Sequence, residues 1–160
     1  MGQLGREIIK DVDVKAVIKE LKAAYADEWL AHYNYLHAAQ VATGLNAPPV
    51  ASMLTTRAAD ELMHAMRLSE RIQELGGALP EDWAEIPKLS NTPKFVLPKN
   101  TSDMKGLLKA VLKAERSAIT TYQKLSNMTR HRDTVTHELA EELLADEVKD
   151  EEHTENLIGE

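Results

Sequence analysis

Four glutamates, Glu28, Glu61, Glu115 and Glu147, stand where a helical period asks for apolar side chains. Their surroundings repeat: Ala-Asp-Glu occurs at 26–28, 59–61 and 145–147, and Lys-Ala-Glu at 113–115. Glu61 follows Glu28 by 33 residues and Glu147 follows Glu115 by 32. A tyrosine comes seven residues after Glu28 and after Glu115, at Tyr35 and Tyr122. Seven residues are two helical turns, so each tyrosine shares a face with its glutamate. The pattern is that of one helical hairpin duplicated.

Four ionised carboxylates on a common core cannot stand alone. Burying one without a partner costs several kcal/mol, against a net domain stability of only about 5–15 kcal/mol. The stripe positions carrying these acids show no Lys or Arg, so the expected counter-charge is a pair of divalent ions. Glu61-Leu62-Met63-His64 supplies the Glu-x-x-His step that sets a carboxylate and an imidazole side by side. There is no cysteine, which leaves oxygen and imidazole as ligands and suits iron, with manganese as the alternative. A single helical Glu usually faces water and one Glu-x-x-His step is common by chance; the argument rests on the conjunction.

Around this set the readings stay open. Tyr35 and Tyr122 are either core aromatics or hydrogen-bond donors standing behind the ligands. His32, one turn beyond Glu28, is read as a structural histidine rather than an extra ligand. His37, His131 and His137 are read as surface residues, and Trp29 and Trp83 as packing or subunit-interface residues. On the last helix two stripes compete. One runs 143, 147, 150, 154, 157 and turns Glu147 and Asp150 inward; the other runs 143, 146, 150, 153, 157 and turns Asp150 and His153 inward. The Ala-Asp-Glu repeat and the 32-residue interval favour Glu147 with Asp150, leaving His153 as the alternative ligand.

Positioning these side chains calls for four long helices, at about 12–43, 49–75, 103–127 and 133–158. Val17, Ile18, Leu21 and Tyr25 begin the first stripe, and Leu54, Ala58, Ala65, Leu68 and Ile72 mark the second. Gly44, Pro48 and Pro49 break the chain between them, and Gly76 and Gly77 close the second helix. Asp103 or Ser102 caps the third helix; Asp133 caps the fourth, whose apolar stripe is Val135, Leu139, Leu143 and Leu157. Residues 78–101 hold Pro80, Pro87, Pro93 and Pro98 and read as a loop, long enough to run the length of the bundle. Two antiparallel hairpins joined by one long crossover make an all-α, ferritin-like four-helix bundle, here a single domain over 1–160.

The composition narrows the function classes. At 160 residues the chain buries one sizeable core. No apolar run approaches a membrane span and the N-terminal residues lack a signal-peptide pattern, so a soluble cytoplasmic protein is expected. Lys and Arg number 19 against 26 Asp and Glu, and a charge of −7 disfavours nucleic-acid phosphates. The residues before the first long helix hold only Arg6 and Lys10 as cations, which makes DNA binding unexpected.

The segment Glu61-x-x-His64-Ala65-x-Arg67, through Glu70-Arg71-Ile72 to Gly77 and Pro80, resembles the second helix of bacterioferritins and Dps-like ferritins. The likeness extends over Lys88 to Asp103, Ala114-Glu115-Arg116-Ser117-Ala118, Asn127-Met128-Thr129 and the last helix, and is closest to the Dps-like ferritins also called thioferritins. That resemblance implies hollow twelve-subunit shells and an intrasubunit di-iron site. It also implies oxidation of Fe(II), often by hydrogen peroxide with dioxygen as the alternative oxidant, and storage of ferric mineral. It implies Glu28, Glu61, His64, Glu115 and Glu147 as ligands. Three departures qualify it. Thr92 and Ser117 replace the thioferritin cysteine pair; Leu62 replaces the axial methionine of bacterioferritins, so no haem is expected; and Glu147-Val148-Lys149-Asp150 replaces a second Glu-x-x-His. A di-metal peroxidase or catalase-like enzyme, using iron or manganese and storing nothing, is the competing reading.

Overall fold

A computed structural model describes residues 1–159. The chain forms α1 (Gln3–Glu7), α2 (Val14–Val41), α3 (Ala47–Glu74), a 3-10 turn (Trp83–Glu85), α4 (Ile86–Leu89), α5 (Met104–Thr129) and α6 (Thr134–Ile158). Helices α2, α3, α5 and α6 are the bundle. Aspartate carboxylates start three of them by accepting orphan amide hydrogens: Asp13 from Lys15 and Ala16, Asp103 from Gly106, and Asp133 from Thr136. Helix α3 starts at Ala47, so Pro48 and Pro49 lie inside its first turn rather than in the break before it. Proline is tolerated there because its missing amide would have no intrahelical acceptor. At the other end of α3, Gly76 takes φ 85° and Gly77 packs against the methyls of Ile18 and Ile72, where a Cβ would meet them at 2.8 Å.

Short connections make α2–α3 and α5–α6 antiparallel hairpins. Thr43, at the α2–α3 corner, hydrogen-bonds Thr101 just before α5 through both backbone and side chain. Helix α5 therefore starts at the end of the bundle where α3 starts, and the intervening chain travels the full length. The expectation of an unbroken loop in that crossover fails locally. Trp83–Glu85 and Ile86–Leu89 each form about one helical turn, with Pro87 in the first turn of α4 and Ile86 buried against the bundle. Beyond them, Asp27 of α2 pins the crossover, its Oδ1 accepting from Ser90 Oγ at 2.5 Å and from the amides of Asn91 and Thr92 at 2.9 Å.

The apolar core comes in two blocks. One gathers Ala38, Val50, Leu54, Leu107, Leu108 and Val111 with Tyr35; the other gathers Val17, Leu21, Leu68, Ile72, Leu125 and Leu143 with Tyr122. The four stripe glutamates fall between the blocks in every helix, so they form a polar band across the middle. On α6 the apolar stripe differs from the expected one. Val135 and Leu157 are exposed, while Thr136, Ala140, Leu143, Glu147, Thr154 and Ile158 are buried. Small and hydroxyl-bearing residues line the inner face there because the neighbouring helix brings arginines that need hydrogen-bond acceptors. Among the described residues no helix is long and apolar enough to cross a membrane.

Candidate metal centre

Glu28 from α2, Glu61 and His64 from α3 and Glu147 from α6 each turn a ligand atom into one space, and those four atoms lie within 4.8 Å of one another. All four residues are buried. His64 Nδ1 lies 3.2 Å from Glu61 Oε2, 3.3 Å from Glu147 Oε1 and 3.8 Å from Glu28 Oε2. Its other ring nitrogen, Nε2, lies 3.5 Å from Asp146 Oδ2 at the bundle surface. Metal-binding histidines commonly have a carboxylate near the outer ring nitrogen, the place that Asp146 takes here.

Glu115 of α5 is also buried but stands outside that foursome. Its Oε1 accepts from the Tyr35 hydroxyl at 2.9 Å and from Arg57 Nη1 at 3.2 Å. Tyr122 donates in the same way to Glu28 Oε1. Both tyrosines are thus hydrogen-bond donors to the acids as well as core aromatics. Asp150 is half-buried and ion-paired with Arg57, Nε to Oδ2 at 3.3 Å, whereas His153 is exposed.

The electrostatics are those of a crowded anionic core. Burial pushes the Glu28 carboxyl above its usual range, and pushes Glu61 and Glu147 well above it with help from their neighbours' negative charge. Glu115 rises to about 7, burial outweighing the hydrogen bond with Glu147, the Arg57 charge and the Tyr35 hydroxyl. Glu28 meets Glu61, and Glu115 meets Glu147, at hydrogen-bonding range. Two carboxylates hold such contacts only with a proton or a cation between them. A divalent ion fits the donor set on a further ground: Glu61 Oε2, His64 Nδ1 and Glu147 Oε1 are buried with no hydrogen-bond partner. Leaving three such atoms bare is costly, and a metal would satisfy all three. A cavity of about 20 Å³ adjoins them, lined by Glu28, Glu61, Glu115 and Glu147 and, toward the crossover, by Asp27 and Thr92.

The remaining candidates lie elsewhere. His32 Nδ1 contacts the Ala58 carbonyl oxygen at 2.5 Å, tying α2 to α3. His37 is exposed and stacked on Tyr33. His131 is exposed, but His137, read as a surface residue, is half-buried with Nδ1 3.3 Å from Ser126 Oγ. Trp29 and Trp83 meet edge to face at 5.8 Å, clamping the 3-10 turn to α2. One expectation is overturned: an arginine does lie on the acid-bearing face. Arg57 is only 3% exposed and stands four residues, about one turn, before Glu61. That spacing was the available signal. Asp146 gives no such signal, because its Cα belongs to the other stripe of α6.

Comparison with known proteins agrees with this architecture. The family pattern described as a ferritin-like domain matches residues 18–160. A DNA protection during starvation protein from Pyrococcus furiosus is 31% identical over 147 residues, covering 92% of this chain and 79% of that protein. The dodecameric thioferritin of Bacteroides fragilis, a bacterioferritin-related protein, superposes with a TM-score of 0.89 at 30% identity, covering 96% of this chain and 90% of that one. A ferritin-like diiron-carboxylate protein from Bacillus anthracis shares the fold, with a TM-score of 0.79 at 23% identity over 92% of this chain and 99% of that one. With the helical crossover topology and the buried carboxylate–histidine group, these likenesses make the chain a member of the ferritin-like family, in its Dps-like branch.

Proposed function

We propose that this protein is a miniferritin that takes up Fe(II), oxidises it within the bundle of each subunit and stores or detoxifies the Fe(III). The observation that carries this reading is the buried group of Glu28, Glu61, His64 and Glu147, three of whose ligand atoms lack any hydrogen-bond partner. These four residues would hold the first iron ion. Glu115 and Asp150, bounding the neighbouring position, would contribute to a second, giving two ions per subunit. Tyr35 and Tyr122 would hold the Glu115 and Glu28 carboxylates in place through their hydroxyls.

The substrate chemistry is a two-electron reaction. Each Fe(II) gives up one electron, and two together reduce one hydrogen peroxide, with two protons, to two waters; dioxygen is the other oxidant. Carboxylates suit the product, because hard anionic oxygens stabilise Fe(III) more than Fe(II). Protons held between the paired carboxyls would leave as iron enters, since metal ligands must be deprotonated.

The same reading places the chain in a closed shell of twelve subunits in the cytoplasm, by analogy with the dodecameric relative. The decisive experiment loads the protein with Fe(II) and hydrogen peroxide, then separates the product by size. Ferric iron co-eluting with a particle of about twelve chains supports storage. Oxidation by a small, iron-poor species would instead favour a di-metal peroxidase or catalase-like enzyme.

A further inference from the structure

The two halves of the duplicated bundle differ at two linked pairs of positions beside the acids. In the first half, His64 follows Glu61 by three residues; in the second, Asp150 follows Glu147 by three. The helix facing His64 carries Leu143, four residues before Glu147, whereas the helix facing Asp150 carries Arg57, four residues before Glu61. An imidazole opposite a leucine has thus been exchanged for a carboxylate opposite a guanidinium. The exchange adds one negative and one positive charge and leaves the local total unchanged.

The guanidinium is buried and firmly held. Nη1 donates to Glu115 Oε1 at 3.2 Å and to Thr154 Oγ1 at 2.7 Å, Nη2 donates to the Asp150 carbonyl at 2.8 Å, and Nε lies 3.3 Å from Asp150 Oδ2. It therefore occupies one carboxylate that the neighbouring metal position needs and is paired with the other. The ligand foursome on the opposite side includes neither Glu115 nor Asp150.

We infer that Arg57 is a resident cation at the second position, so that the two metal ions load unequally and in order. The first enters Glu28, Glu61, His64 and Glu147 without competition. The second must compete with a guanidinium that cannot deprotonate for Glu115 and Asp150, and is repelled by its charge at short range. This inference rests on the metal-centre reading given above.

The test is an anaerobic titration of the intact, metal-stripped assembly with Co(II) alone, followed by calorimetry and by the visible absorption of the bound ion. For the wild-type protein one tight Co(II) per chain is expected, with the second weaker by about 100-fold, the upper end of the range over which groups behind the ligands tune metal affinity. Arg57→Gln should narrow that gap to about tenfold. In case the unpaired Asp150 disturbs folding in that variant, Arg57→Leu combined with Asp150→His gives the second half the residues of the first. That double variant should bind two ions of nearly equal affinity. Two equal tight sites in the wild type, or a gap that persists in the double variant, overturns the inference and leaves the metal centre standing. Absence of any tight Co(II) in the wild type overturns both.

Discussion

Tyr35 on α2 donates its hydroxyl to Glu115 on α5 at 2.9 Å, across 80 residues of sequence. The duplicated contact runs the opposite way, from Tyr122 on α5 to Glu28 on α2. Each hairpin thereby supplies the donor for the other's buried acid, and neither acid is satisfied until the hairpins have docked. A hydrogen bond contributes about 0.5–1.5 kcal/mol between neutral groups and about 1.5–3 kcal/mol when one partner is charged. Tyr35→Phe, which keeps the ring and removes only the donor, should lower the stability of the metal-free protein by about 1–3 kcal/mol, and Tyr122→Phe should do likewise. Urea denaturation is the measurement. Unchanged midpoints in both variants would mean that the hydroxyls do not hold the halves together.

The raised carboxyls give the metal-free protein an unusual pH profile. Glu115 has an ordinary value of 4.5 and is lifted to about 7 by burial, and Glu28, Glu61 and Glu147 move in the same direction. Between those limits the folded chain keeps a proton that the unfolded chain has lost, so stability falls as pH rises through about 7. Their contribution is fully present only below the unfolded value. Metal-free protein should therefore denature at lower urea at about pH 8 than at about pH 5, and saturating divalent metal should reverse the order, because metal replaces those protons. A metal-free profile that rises toward alkaline pH contradicts the assignment.

Glu61 meets Glu28 and feels the charge of Glu147 and Glu115, and one of its oxygens has no partner. Glu61→Ala should abolish rapid Fe(II) oxidation and the tight first site. Removing a carboxyl from a repelling cluster relieves as much as the small cavity costs, so the metal-free variant should be as stable as the parent or more so. Stopped-flow oxidation and thermal unfolding of the same sample test both halves. Retained oxidation would remove Glu61 from the ligand set.

The fold class was legible because its signals are local. Asp13, Asp103 and Asp133 cap helices whose apolar residues repeat every three or four positions, and the crossover's length allows only a few topologies. Arg57 was harder to see, although it sits one turn before Glu61. A buried arginine looks like any surface cation until its acceptors, Glu115, Thr154 and the Asp150 carbonyl, arrive from two other helices. The same long-range contacts explain why α6 turns inward a face other than the one its apolar period predicts. Thr154 is buried as an acceptor for Arg57 and Thr136 as one for Arg71, while Val135 and Leu157 remain outside. Apolar periodicity cannot register an inner face built from hydroxyls.

Leu45, Met63, Trp83 and Val96 are exposed apolar side chains, and the proposed shell would cover some of them at subunit contacts. Light scattering should show a particle of about twelve chains at neutral pH, and a stable monomer would remove the storage reading. DNA should not be retained. The residues before α2 place Arg6 and Lys10 beside Glu7, Asp11 and Asp13, and the Arg6 guanidinium is engaged by the Met1 carbonyl. Gel shifts at physiological salt should show free DNA, and a retarded band would assign a basic surface that the N-terminal arm does not supply.

The register of α6 offers the last test, because Glu147 and His153 cannot both face the centre. Glu147 is 2% exposed, with Oε1 lying 3.3 Å from His64 Nδ1. His153 stands six residues, nearly two turns, further along, and its side chain faces solvent. Glu147→Gln keeps the size of the side chain and removes the charge that a cation needs, so it should weaken the first metal site severely. His153→Ala should alter neither the number of ions bound, nor their affinity, nor the oxidation rate. Anaerobic Co(II) absorption distinguishes the two ligand types directly, since its visible bands respond to nitrogen ligation. Loss of a nitrogen signature in His153→Ala, with Glu147→Gln unaffected, would show that the helix presents its other face to the metal.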